Sequence, residues 1–200
     1  MSTLLECKDL TKCYGKKTAI DHINLAIESG HIIGLLGPNG SGKTTLMNMI
    51  AGIYYPDEGQ IFVDGKEAVI SSPKDAFGYG IGMIHQHFKL VDVFSASENI
   101  ILGVKDGRKF NIKNVNATVG EICRKYGFNI DPKKKIYEMS VSEKQTVEII
   151  KVIYRGAEIL ILDEPTAVLT PQESGKLFDI LRKMREDGKS IIIITHKLHE

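Results

Sequence analysis

Apolar residues follow two different periods along this chain. Short unbroken runs occur at 32–36 (Ile-Ile-Gly-Leu-Leu), 158–162 (Glu-Ile-Leu-Ile-Leu) and 190–194 (Ser-Ile-Ile-Ile-Ile). Runs without alternation are what strands covered on both faces of a parallel sheet look like. Residues 171–185 instead place Leu177, Ile180, Leu181 and Met184 on one helical face. That pattern predicts a strand–helix–strand crossover ending in the third run. From Thr44 onward, Leu46, Met47, Met49 and Ile50 predict a helix, and Gly52 its end. Residues 60–63 alternate into Asp64-Gly65, a hairpin turn signal. Residues 88–155 have little strand character and carry two helical patterns, near 115–126 and 142–154. The expected organisation is one domain over 1–200, with an α/β core at 1–87 and 156–200 and a helical insert at 88–155.

Composition narrows the setting. The 200 residues are 42% hydrophobic and 26% charged, the balance of an ordinary soluble domain with its own core. The formal net charge of +1 offers no bulk attraction for nucleic acid. Cys7, Cys13 and Cys123 are scattered, with neither a disulfide framework nor zinc-ligand spacing, and this favours a reducing compartment. No apolar run approaches the roughly 18 residues of a membrane helix. Glu6 and Asp9 interrupt the place where a signal peptide would be apolar. The expectation is a cytosolic chain whose membrane role, if any, comes through a partner.

The strongest chemical signal is Gly37-Pro38-Asn39-Gly40-Ser41-Gly42-Lys43-Thr44-Thr45, which fits G-x-x-x-x-G-K-[ST] between a strand and a helix. Its glycines let the backbone curl so that successive N–H groups face phosphate oxygens, and the helix N-terminus adds its positive end. Lys43 would supply a point charge to the β/γ oxygens, and Thr44 a hydroxyl to Mg²⁺. A dinucleotide-binding turn fits less well, because the glycines run G-x-x-G-x-G. About 120 residues later, Asp163 and Glu164 end the second apolar run. The C-terminal edge of a parallel strand is where ligands bind. Asp163 is expected to hold Mg²⁺, and Glu164 to orient and deprotonate the attacking water.

With these motifs in order, the chain resembles the nucleotide-binding domain of ABC transporters over essentially all of its length. The resemblance implies an α/β phosphate-loop NTPase fold, with a RecA-like core, an N-terminal antiparallel β portion and a helical insert. It also implies further roles. Tyr14, in Lys12-Cys13-Tyr14-Gly15, matches the aromatic that stacks on adenine. Gln86, in His85-Gln86-His87-Phe88, matches the glutamine that meets Mg²⁺ and the attacking water. His196 matches the switch histidine at the γ-phosphate. Ser140 matches the signature serine that reaches the ATP of a facing subunit. Expected cofactors are ATP and Mg²⁺. His85, His87 and His199 match no motif and are read as structural. A narrower likeness runs through 80–88, Val91-Asp92, 97–100, 154–157 and 166–173, which look like the first ATPase half of simple-sugar and nucleoside importers. It implies transmembrane permease subunits, a second ATPase half, an extracytoplasmic solute-binding protein acting indirectly, and a peripheral place at the cytoplasmic face of the membrane. The apolar positions Phe88, Leu90, Val93 and Phe94 follow Gln86 and would carry energy toward the permease.

Three features depart from the family pattern. The signature Leu-Ser-Gly-Gly-Gln is here Met139-Ser140-Val141-Ser142-Glu143. Ser142 brings a Cβ where a glycine would let the backbone approach phosphate, and Glu143 is expected to bring negative charge toward a triphosphate. Ala167-Val168-Leu169-Thr170 lacks the usual terminal Asp of the loop that couples the two sites. The chain ends four residues past His196, where the family continues, and so reads as a fragment or truncated frame. Two other functions compete with transport. A soluble ABC ATPase acting on nucleic acid would want a basic linker or coiled coil, and neither is seen. A regulatory half with little hydrolysis is suggested by the altered signature, and Glu164 and His196 argue against it.

Overall fold

The computed structural model describes residues 3–104 and 111–197, so His199 lies outside the described residues. Two four-stranded sheets organise the chain. The first is antiparallel, in the order β2-β1-β4-β5, from β1 (Thr3–Tyr14), β2 (Lys17–Glu28), β4 (Glu58–Val63) and β5 (Lys66–Glu67). The second is parallel, in the order β3-β8-β7-β6, from β3 (Ile32–Leu36), β6 (Ile81–Ile84), β7 (Ile159–Asp163) and β8 (Ser190–Thr195). Asp64 and Gly65 turn β4 into β5 at φ 51° and 72°, the left-handed pair that the hairpin signal implies.

Six helices complete the described chain: α1 (Lys43–Ile50), α2 (Pro73–Gly78), α3 (Ala96–Ile101), α4 (Ile112–Tyr126), α5 (Val141–Tyr154) and α6 (Pro171–Glu186). Four of them lie where periodicity places them. The short α2 and α3 are too brief for periodicity to reveal, although each starts at a side-chain cap: Ser72 accepts from the Asp75 N–H, and Ser95 forms a reciprocal capping box with Glu98.

Two apolar clusters hold the layers together. One packs the antiparallel sheet and α1 on one face of the parallel sheet, through Leu5, Ile27, Met47, Ile50, Ile61, Ile161 and Ile192. The other fills the opposite face with α4, α5 and α6, through Val119, Val147, Ile150, Leu160, Leu162, Leu181 and Ile193. The described part of 88–155 contains helices, a 3-10 turn at Ile136–Glu138 and an isolated bridge between Ser95 and Lys135. It shares its apolar cluster with the sheet rather than enclosing a separate one.

Every residue of β7 and β8 is buried, as the apolar runs imply. The strand at 32–36 differs. β3 is only half-covered and Leu36 is 50% exposed, because β3 lies at one end of the strand order and pairs with β8 alone among the described residues. Its apolar run is an edge feature here, not the mark of a strand enclosed on both faces. The centre of the sheet carries the stability. Ile161 is fully buried in β7, and Ile161→Ala is expected to cost about 2–5 kcal/mol in denaturant unfolding, from lost transfer energy and the cavity left behind.

Candidate active site

The phosphate-binding loop runs from the end of β3 into α1. Gly42 caps the helix at φ 90°, ψ −4° and offers no side-chain cap. A Cβ there would meet the Ala19 carbonyl and the Ile20 side chain, each at 2.7 Å, so only glycine fits. By contrast, α3, α5 and α6 all begin with capping boxes. The first-turn N–H groups of α1 thus face the site without a side-chain acceptor, the arrangement that suits an anion at a helix N-terminus. The Lys43 ammonium folds over the loop. It donates to the carbonyls of Gly37 at 2.7 Å and Pro38 at 2.9 Å, and to Ser41 Oγ at 3.3 Å.

The C-terminal ends of β7 and β8 bring the acidic groups and the histidine to this loop. Thr44 Oγ1 donates to Asp163 Oδ1 at 3.4 Å. Asp163 is buried, and burial chiefly, with the neighbouring Glu164 charge second, pushes its carboxyl above the usual range; Thr44 and Lys43 oppose this. Glu164 sits at φ 49°, a left-handed backbone uncommon outside glycine, and its N–H donates to the Ile194 carbonyl of β8 at 2.9 Å. That link aligns the residues following the two strands. His196 Nδ1 lies 2.8 Å from Glu164 Oε1, and since a carboxylate only accepts, Nδ1 carries the proton. Glu164 Oε2 is buried without a hydrogen-bond partner among the described residues.

Tyr14, residues 39–45, Gln86, Asp163, Glu164 and His196 line one cavity of about 530 Å³. Gly37 and Pro38 support it through the carbonyls that hold Lys43. Tyr14, 47% exposed, stands at the rim with Tyr54 edge-on, ring centroids 6.0 Å apart. Ser140 does not line this cavity. It is exposed at the start of α5 as its N-cap.

Two groups at α5 have partners that the sequence does not show. Glu143 is paired rather than bare. Its Oε1 accepts from Lys134 Nζ at 2.7 Å and its Oε2 from the Ser140 N–H at 2.8 Å, and Lys134 first, then Ser140, hold the carboxyl below its ordinary range. Ser142, half-buried, places its hydroxyl by the Glu173 carboxylate of α6. Thr170, at the position of the missing loop Asp, is the N-cap of α6.

Other residues that organise the site carry no motif. Glu148 on α5 accepts from the Lys89 N–H at 2.9 Å, and Lys151 Nζ donates to the Lys89 carbonyl at 3.2 Å. The segment after Gln86 is thereby tied to α5. Asn99 clamps it a turn later, accepting from the Val91 N–H at 2.8 Å and donating to the Val91 carbonyl at 3.1 Å. His85 is half-buried beside these lysines, and burial first, then Lys89 and Lys151, lowers its proton affinity; His87 is exposed. Phe88, Leu90 and Phe94 are half-buried, whereas Val93 is 66% exposed. Only the buried polar character of Glu148 and Asn99 within apolar stretches could have pointed to them in the sequence.

The raised Asp163 carboxyl has a testable consequence. A carboxylate whose folded pKa lies above its unfolded value favours the fold at low pH and opposes it as pH rises through the folded pKa. Asp163→Asn removes that opposition, so the variant is expected to melt above the parent at pH 7. The difference should vanish below the ordinary pKa of 3.8. Thermal melts at the two pH values provide the check.

The nucleoside import ATP-binding protein NupA of Lactococcus lactis subsp. cremoris is 48% identical over 99% of this chain and 40% of its own length. The ribose import ATP-binding protein RbsA of Caldanaerobacter subterraneus subsp. tengcongensis is 40% identical over 100% of this chain and 41% of its own. The chain thus spans about two-fifths of the length of these relatives. Among solved structures, the ATP-binding cassette MJ0796, a dimer in a post-hydrolysis state with ADP and Pi, superposes with a TM-score of 0.82 at 25% identity, covering 98% of this chain and 89% of that one. Among the described residues, no helix is long and apolar enough to cross a membrane. The profile of the ABC transporter family matches residues 20–167, so phosphate loop, acidic strand end and intervening helices all fall within one family pattern, and the chain belongs to that family.

Proposed function

We propose that this chain binds MgATP and hydrolyses it to drive import of a nucleoside or simple sugar through membrane permease subunits. One observation carries the reading: Lys43, the Thr44–Asp163 pair and the Glu164–His196 pair converge on a single cavity with Tyr14 at its rim. Its volume of about 530 Å³ suits a nucleotide. Tyr14 offers a face for adenine, a stacking contact worth about 1–3 kcal/mol. Lys43 and the N–H groups of α1 hold the β and γ phosphates. The hard oxygens of Thr44 and Asp163, with Gln86 across the cavity, suit Mg²⁺, and the orphaned Glu164 oxygen beside them suits a site that takes up further polar groups. When bound, Mg²⁺ would draw off phosphate charge.

Hydrolysis joins a water oxygen to the γ-phosphorus and breaks the bond to the ADP oxygen. Glu164 takes the water proton. His196 donates its Nδ1–H to Glu164 Oε1, which orients the carboxylate for that task. Such a transfer depends mostly on positioning and electrostatics, which is what these residues provide. Residues 88–155 would act as a helical insert that moves with Gln86. The partners are a second ATPase half, in the same or another chain, and permease subunits, with an extracytoplasmic solute-binding protein engaged through them. The place of work is the cytoplasmic face of the membrane. The relatives named for nucleoside and ribose import, and the dimeric ADP-bound cassette, support this reading.

The site is read as composite, closed by Ser140 of a facing half. Alone, the chain should bind MgATP and turn it over slowly, with a rate per chain that rises with chain concentration or on adding a second ATPase half. Fast, concentration-independent turnover would refute the composite site. Absent turnover with every partner present would favour a regulatory half.

A further inference from the structure

Residues 131–139 form a strap between two helix starts. Its backbone is fixed along its length: Lys134 O accepts from the Ala96 N–H at 3.0 Å, Pro132 O from the Ser97 N–H at 3.0 Å, and the Ile136 N–H donates to Phe94 O at 3.0 Å. Two adjacent lysines on this strap each grip the glutamate of a different capping box. Lys135 Nζ lies 3.2 Å from Glu98 Oε2 in the α3 box, and Lys134 Nζ lies 2.7 Å from Glu143 Oε1 in the α5 box.

At α5 this divides the work of Glu143 between its oxygens. One neutralises Lys134 and the other accepts from the Ser140 N–H. In return the Glu143 N–H donates to Ser140 Oγ at 3.2 Å. A hydroxyl oxygen that accepts keeps its own proton to donate elsewhere. Ser140 is exposed and its hydroxyl also lies against the Glu143 carboxylate, so its proton can turn from that carboxylate to an arriving acceptor. Lys144, the next residue, faces Asp92 at 3.8 Å and does not share the task. The Lys134–Glu143 pair is about 30% exposed on each side, and pairs this open add little to stability. Its consequence lies in where the charge and the hydroxyl are held.

We propose that Lys134 is a positioning residue for the composite ATP site: it cancels the Glu143 charge and holds Ser140 as a hydroxyl donor to the nucleotide of a facing subunit. The proposal rests on the composite-site reading above. Without Lys134, a bare carboxylate would stand beside the arriving triphosphate, and the repulsion would grow as closure excludes water.

The test uses the full 200-residue chain. Sedimentation with Mg²⁺ and a non-hydrolysable ATP analogue reads nucleotide-dependent pairing, and fluorescence titration at high dilution reads affinity for the chain's own half-site. Lys134→Met is expected to leave own-site affinity unchanged and to weaken pairing about five- to tenfold. Lys134→Arg should pair like the parent. Lys134→Met combined with Glu143→Gln should recover pairing, because the carboxamide oxygen still accepts from the Ser140 N–H without the charge. Parent-like pairing by Lys134→Met would overturn the proposal. So would failure of the double variant to recover, which would mark Lys134 as packing only. A parent chain that binds nucleotide and pairs neither with itself nor with an added second ATPase half would overturn the composite site, and this proposal with it.

Discussion

Replacing Lys43 with alanine is expected to remove most of the chain's affinity for MgATP. The ammonium is the single cation that the loop itself grips, through the Gly37 and Pro38 carbonyls and Ser41 Oγ. A triphosphate entering the cavity offers it stronger, charged acceptors. A hydrogen bond to a charged group contributes about 1.5–3 kcal/mol, which corresponds to about a 10- to 150-fold loss of affinity when it is removed. The fold should not suffer. Lys43 opens α1, where alanine is the better helix former, and none of its partners is a core residue. Calorimetric titration with MgATP, beside a thermal melt of the same variant, separates the two effects. Unchanged affinity would discard the phosphate-loop assignment.

Glu164→Gln is expected to spare nucleotide binding and slow hydrolysis by about 10²–10⁴-fold, the contribution of a positioned general base. Glutamine preserves the shape and can still accept the His196 Nδ1–H through its carbonyl oxygen. The nitrogen that replaces the buried Oε2 cannot take a proton from water. The geometry thus separates positioning, which survives, from proton transfer, which does not. The measurement is phosphate release with a second ATPase half present, and nucleotide affinity in parallel. Turnover above about a tenth of the parent's would remove Glu164 from the role of base.

Much of this site was legible in the residues because its chemistry is local. The phosphate loop needs consecutive residues in a fixed order between a strand and a helix, and 37–45 supply that order. Gly42 shows why the order is so strict: its left-handed backbone and the 2.7 Å approach of Ala19 exclude any other residue. The buried strands β7 and β8 were equally legible, because unbroken apolar runs leave few other places for a strand to sit. One reading needed correction. The run at 32–36 forms a strand, yet an edge one, since an apolar pattern records composition and not which neighbours pair. Glu143, expected to bring negative charge toward a triphosphate, has Lys134 beside it, a pairing that spacing along the chain does not show.

By itself, the sequence determined the phosphate loop, the acidic end of β7, the crossover from β7 through α6 to β8, and the alternation of helix and strand. Each of these is set by spacing within a few turns or strand residues. The tertiary structure alone decided that Glu164, 32 residues from His196, shares a hydrogen bond with it, that Glu148 holds the Lys89 backbone 59 residues away, and that Lys134 neutralises Glu143. Such contacts depend on which side chains a fold brings within about 3 Å, the range at which a hydrogen bond is strong. Periodicity assigns a residue to a face of its own element, and packing between elements then selects the partner that the face will meet.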